Sequence, residues 1–316
     1  MRRTSTNLLL ALGTLLALAV PDLAAPTLAS AQTEIPLGGE PVPDDGTRPR
    51  ESTYETARGL GMGTGTRASA AGTSAIAYNP ANLALAPVYH LESFATYIPN
   101  DRAWMYGGAV ADSVTNRMAA GFSMHGVYGN EDRNYRGFDS RLALSVPFSD
   151  AISIGVAGRY VRLRSRTENE NGDRVGPGVK AFTLDAGLRV TPVAGLHIAL
   201  VGSNLIPTDS SLAPMLLGGG VSYSYETLFS IGADVLVDMT SFDGPELLIG
   251  GGAEVLLGGQ VPLRLGFRRD QGRELNQITA AIGYVDQKVG LDVALRQDVN
   301  GPKETQLLFA FRYHVQ

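Results

Sequence analysis

The sequence predicts an all-β fold, a transmembrane antiparallel up-and-down barrel of about fourteen strands with an N-terminal plug inside it. Three observations carry this prediction. From Val88 onward, apolar residues recur at every second position in one segment after another, the period of a strand with a single apolar face. The connections between those segments alternate between short and long. The 316 residues include 38 glycines, which weaken helices but suit turns, bulges and closely packed strands.

At the N-terminus, Arg2 and Arg3 precede an apolar core from Leu8 to Val20, and small residues follow as far as Ala29, Ser30 and Ala31. This pattern predicts a secretory signal peptide over residues 1–31, cleaved before Gln32. An uncleaved anchor is the alternative, although Leu8 to Val20 falls short of the roughly 20 apolar residues a membrane helix needs. No cysteine is present, so a lipid-modified cysteine, disulfides and cysteine-based metal sites are all excluded. Removing the signal takes away two arginines and one aspartate, shifting the formal charge from -5 to -6. Nothing in so mild an acidity suggests nucleic-acid binding.

Residues 32–56 carry Pro36, Pro41, Pro43 and Pro49 among acids without periodicity and read as a periplasmic tether. Residues 57–86 then form the predicted plug, or hatch. Its Gly59, Gly61, Gly63 and Gly65 superficially match a dinucleotide-binding glycine loop, but no strand precedes them and no βαβ unit follows. Close packing of backbone against a barrel wall is the better use of those glycines.

The barrel occupies residues 87–316. Its strands are expected near 88–98, 102–112, 117–128, 138–147, 151–165, 179–190, 195–203, 214–224, 227–237, 246–257, 260–269, 275–285, 288–297 and 304–315. Most connections after even-numbered strands are short, such as Gly258 to Gly259, whereas those after odd-numbered strands include GNEDRNYRG, RTENENGDRVGPG and SNLIPTDSSLA. The brief connection from Pro99 to Asp101 breaks the trend. Short turns on one side and long loops on the other are the pattern of bacterial outer-membrane barrels, with the N-terminus periplasmic. No apolar run after residue 31 is long enough for a membrane helix, so a closed sheet is the way this chain enters lipid. A soluble β-sandwich also alternates, but it does not account for the loop rhythm.

The two faces of the strands differ in kind. Val289, Leu291, Val293 and Leu295 share one face, while Asp292 and Arg296 share the other. Continued round the barrel, the inward face collects Glu92, Arg141, Arg159, Asp185, Arg189, Asp234, Glu254, Arg264, Arg268, Asp292, Arg296 and Arg312. Such a lumen either holds the plug and attracts an anionic head group, or simply braces the wall through cross-strand pairs. Glu92 and Arg312 are expected to meet where the last strand closes on the first. Leu205 and Ile206 are candidate ligand contacts from a long loop.

His90, His125, His197 and His314 lie on four separate predicted strands without a Ser or Asp at triad spacing, so no catalysis is expected. The acidic loop from Glu168 to Asp173 lacks the closing bidentate Glu of a calcium loop, and no metal or other cofactor is expected.

The runs ARGLGMG, Ala57 to Gly63, and SAIAYNPANLAL, Ser74 to Leu85, resemble the N-terminal signature of the FadL-like long-chain fatty-acid transporters and the related PorV/PorQ-type barrels. The resemblance implies that the Asn79-Pro80-Ala81 motif and the adjacent Tyr78 belong to a hatch within a fourteen-stranded barrel. It further implies outer-membrane lipid surroundings and either a hydrophobic or amphipathic small-molecule ligand or secretion-complex proteins as partners. A structural barrel without traffic is the remaining alternative. Asn82 stands where the family usually has glycine, and the chain is shorter than the fatty-acid transporters. Locally, Pro80 fixes its own backbone angle and pushes Asn79 away from helical geometry, so the motif forces a bend.

Overall fold

A computed structural model describes residues 55–100, 102–129, 135–165, 171 and 178–315. The expected signal peptide, the expected tether as far as residue 54, and the acidic loop 168–173 apart from Asn171 lie outside the described residues.

Short helices come first: α1, Ala57–Gly61; α2, Thr73–Tyr78; and a 3₁₀ helix, Pro80–Ala84. The strands follow as β1 Tyr89–Ile98, β2 Ala103–Asp112, β3 Ala119–Tyr128, β4 Tyr135–Pro147 and β5 Ile152–Ser165. Next are β6 Val179–Val193, β7 Leu196–Ser203, β8 Leu216–Tyr225, β9 Phe229–Asp238 and β10 Glu246–Leu257. The last are β11 Val261–Asp270, β12 Leu275–Val285, β13 Val289–Asp298 and β14 Thr305–His314. Every strand pairs antiparallel with its sequence neighbours, and β1 pairs with β14, so the fourteen strands close into a barrel without a free edge.

Strand placement follows the alternation closely because each strand has one face against the lumen and one facing out. On β13, Leu291 and Val293 are exposed whereas Asp292 and Ala294 are buried. The same division runs round the barrel, leaving an outer surface of Leu, Ile, Val, Phe and Tyr. At the seam, Glu92 lies directly opposite Arg312. Both face inward as expected, but their close contacts are with others: Arg312 donates to Asp292, and Glu92 accepts from Thr73.

The turn rhythm is real but less regular than the sequence suggests. The turn between β2 and β3 takes residues 113–118, while that between β11 and β12 takes only 271–274. The loop from Asn204 to Met215 folds back over the barrel mouth, burying Leu212 in the same apolar cluster as Val161, Leu163 and Ala181. Within the loop, Asn204 Nδ2 donates to the Pro214 carbonyl at 2.6 Å and Thr208 Oγ1 to the Ala213 carbonyl at 2.7 Å.

Candidate functional site: the inner segment and its seat

Residues 55–86 pack against the inner wall, and the contact begins with glycine. Gly63 has φ +59°, a backbone conformation that side-chain-bearing residues rarely adopt. Opposite it, a Cβ on Gly252 would stand 2.7 Å from the Met62 Cα, and one on Gly65 would stand 2.8 Å from the Gly251 Cα. Backbone therefore rests on backbone, on a stretch of wall formed by β9, β10 and β11. The glycine run near residue 60 is thus a packing surface, as its sequence context predicts.

On this side the segment is tied by charge. Arg58 Nε donates to Glu254 Oε1 at 3.0 Å; Glu254 also accepts from Arg264 at 2.5 Å, and Arg264 reaches Asp292 at 2.5 Å. Arg67 Nη1 lies 3.0 Å from Asp234 Oδ2, and the same carboxylate oxygen accepts from the Thr66 and Arg67 amides, each at 3.0 Å. Glu55 meets Arg296 at 2.9 Å and Arg268 at 3.6 Å. Burial by itself would raise the Glu55 pKa, but the positive charges of Arg296 and Arg268 outweigh it and hold the carboxyl below its ordinary value. Burial, reinforced by the Glu55 charge, pushes the Tyr78 phenol upward.

The opposite side is tied mainly by neutral groups. Asn79 is extended at φ -160°, so Pro80 opens the 3₁₀ helix and Asn79 Oδ1 caps it by accepting from the Ala81 amide at 3.0 Å. The Ala81 carbonyl accepts from both Ser145 Oγ and Ser153 Oγ at 2.9 Å. Asn79 Nδ2 and Asn82 Nδ2 both donate to the Arg67 carbonyl, at 3.1 Å and 2.9 Å, which joins the two halves of the segment. Arg141 Nη1 donates to the Ala77 carbonyl at 3.2 Å. Gly155 and Gly187 leave room for Pro80, Ala81 and the Asn79 side chain, so the bend is seated in the wall.

The twelve charged positions expected inside all lie on the inward face. Some grip the segment, as described for Arg141, Asp234, Glu254, Arg268 and Arg296; others brace the wall. Asp139 pairs with Arg159 and lies 3.7 Å from Arg141, which lies 3.9 Å from Asp185. Arg159 also donates to Asn204 Oδ1 at 2.8 Å, linking this cluster to the inturned loop. Arg189 donates to Ser153 Oγ at 3.0 Å and Thr191 Oγ1 at 2.7 Å. Charges that brace the wall and charges that hold the inner segment therefore coexist.

Leu205 and Ile206 do not line the inner cavity. Leu205 covers Gly202, whose Cβ direction on β7 is that of exposed Ile198 and Leu200, so its side chain lies over the outer side of the wall. The Ile206 carbonyl accepts from Thr183 Oγ1 at 2.8 Å, which ties the loop backbone to β6. The cavity lies instead between the inner segment and the long-loop end, lined by Arg67, Tyr78, Pro214, Leu236, Arg268 and Arg296 among others. Its volume is about 80 Å³.

Sequence reading missed Glu55, Arg58, Arg67 and Asn82 as anchors, and Asp139 as a wall charge. It also did not foresee that Thr73 Oγ1 would lie 3.0 Å from His90 Nε2 while donating to Glu92. That hydroxyl touches both partners itself, so the carboxylate does not stand behind the imidazole as in a hydrolytic triad.

No known family profile and no curated protein matches the sequence. Solved structures do match the fold. The Ralstonia pickettii toluene transporter TbuX aligns with a TM-score of 0.60 at 14% identity, over 84% of this chain and 100% of that one. A Pseudomonas aeruginosa FadL homologue gives 0.57 at 12%, over 82% and 97%. The Pseudomonas putida toluene transporter TodX gives 0.57 at 13%, over 83% and 98%. The barrel expected from the FadL-like resemblance is thus the barrel found.

Proposed function

We propose that the chain is an outer-membrane channel for the passive entry of hydrophobic or amphipathic small molecules, with residues 57–86 as its hatch. The observation that carries this reading is an inner segment seated on glycines and held by specific polar contacts within a barrel whose outer face is apolar. The outer surface suits hydrocarbon, and backbone groups are satisfied round a closed ring. Similarity of fold to two toluene transporters makes a monoaromatic hydrocarbon the first substrate to assay.

The cavity of about 80 Å³ is roughly half the 150 Å³ that holds benzene in an engineered protein cavity. Passage therefore requires the hatch to shift. Asn79, Pro80 and Ala81 are its gating residues, with Tyr78 beside Arg67 at the cavity floor. Replacing Asn79 and Pro80 by Ala is expected to change toluene uptake in cells while the barrel keeps its heat-modifiable migration on denaturing gels. Unchanged uptake would reduce the motif to a turn, and a secretion complex that copurifies stoichiometrically would favour the protein-partner reading.

A further inference from the structure

Strands β4, β5 and β6 are the longest of the barrel, at 13, 14 and 15 residues. At their long-loop ends the outward-facing positions turn basic. Arg136, Arg162, Arg164 and Lys180 share the outward parity of Leu142, Tyr160 and Phe182. Arg136 lies directly opposite Arg164, and Arg162 directly opposite Lys180. Like charges facing one another across a sheet are unfavourable, so this arrangement is not accounted for by strand pairing. The outward positions of β3, β4, β5 and β6 include no Asp or Glu. Elsewhere round the ring the outward strand positions near this end are neutral, among them Tyr97, Trp104, Leu217, Val237, Leu247, Asn276 and Gln297, with Arg269 the exception among the described strand residues.

The height of the cluster is informative. Arg162 lies ten residues beyond Ile152 on β5. A rise of about 3.3 Å per residue and a tilt of about 40° place it roughly 25 Å from Ile152 along the barrel axis, the height of an apolar belt. The cations therefore stand at headgroup level. Phe138 lies directly opposite Arg162. Its ring centroid is 5.7 Å from that of Tyr160, which with its partner Phe182 sits two residues below Arg162 and Lys180. Arg136 is set over the Tyr128 ring at 5.4 Å, and that ring stacks on Tyr106 at 4.9 Å. Aromatic rings beside and below a cluster of cations complement a molecule with acyl chains and an anionic head.

We propose that this patch is a binding site for a lipid whose headgroup carries phosphate, in the leaflet nearest the long loops. The guanidinium groups match phosphate oxygens in pairs, Lys180 adds a point charge, and the acyl chains lie along Phe138, Tyr160 and Phe182. The inference rests on the barrel spanning a membrane and is independent of what the channel admits.

The test titrates the detergent-purified full chain with diphosphoryl lipid A and, separately, with inorganic phosphate. Each cation at a lipid surface contributes about five-fold to affinity. The triple variant Arg136→Gln, Arg162→Gln, Lys180→Gln should therefore bind lipid A about 100-fold more weakly. Lys180→Gln alone should lose about five-fold, and Arg269→Gln should match the parent. A heat-modifiable barrel whose triple variant retains lipid A undiminished overturns this proposal alone, as does inorganic phosphate binding as tightly as the lipid. A chain that stays soluble without detergent and lacks heat-modifiable migration overturns the membrane reading and this proposal with it.

Discussion

Replacing Asp234 by Ala should loosen the inner segment without opening the barrel. The carboxylate serves the Arg67 guanidinium and the amides of Thr66 and Arg67 together, at 2% exposure. Removing one partner of a buried ion pair costs about 3–5 kcal/mol, because the other charge stays desolvated. The segment borders a cavity into which it can relax, so the lower figure, about 3 kcal/mol, applies. That multiplies the ratio of displaced to seated segment by about 150. Hydrogen exchange of the amides from Gly61 to Arg67 measures this directly, and their protection should fall by the same factor. Conductance in planar bilayers should rise alongside. Asp234→Asn keeps an acceptor for one amide and should fall between the two. If protection of these amides is unchanged while the barrel melts earlier, Asp234 braces the wall and the reasoning fails.

Glu55 gives the segment an acid-sensitive contact. Its pKa lies below the ordinary 4.5, so its contribution is complete above that value and is lost as the pH falls through the lowered one. Protection of the residues around α1 should be flat above about pH 5 and decline in acid; Glu55→Gln should remove that acid step. Gly252→Val would press a side chain onto Met62 Cα, 2.7 Å from the first added carbon, and should unseat the segment at a cost of about 1–3 kcal/mol or more. Gly244→Ala meets nothing within 4 Å and should leave exchange unchanged. Trp104, the single tryptophan, faces outward at 46% exposure and stacks on Tyr97 at 4.4 Å. Brominated lipid should quench its fluorescence more strongly than aqueous acrylamide does, and the reverse order would argue against membrane insertion.

Most of the barrel was legible because a wall between lipid-like and lumen-like surroundings writes its period directly into the residues. The run from Val289 to Arg296 shows both faces at once. Asp139 shares the inward parity of Arg141 and was available to the same logic. The anchors of the inner segment were not. Glu55 stands at the end of a proline-rich stretch, and its composition assigns it to the tether, yet it is bonded to Arg296 across 241 residues of sequence. Arg58 and Arg67 flank a glycine run whose helices have no amphipathic period to read, and their partners Glu254 and Asp234 lie far along the chain. Asn79 and Pro80 announced a bend by their local chemistry, but not which wall residues would seat it. Leu205 is legible as an apolar loop residue at the barrel mouth, but the sequence does not say which side of the wall it covers.

The sequence separations carry a consequence for assembly. Arg58 meets Glu254 over 196 positions, and the Gly61 carbonyl accepts from Thr279 over 218. The residues that leave the ribosome early must therefore wait for those made near the end. Contacts this distant carry a large loop-closure cost and form late. The beginning of the folded chain is fastened only when the circle of strands is nearly complete, so a seated N-terminal segment is a record that closure has taken place.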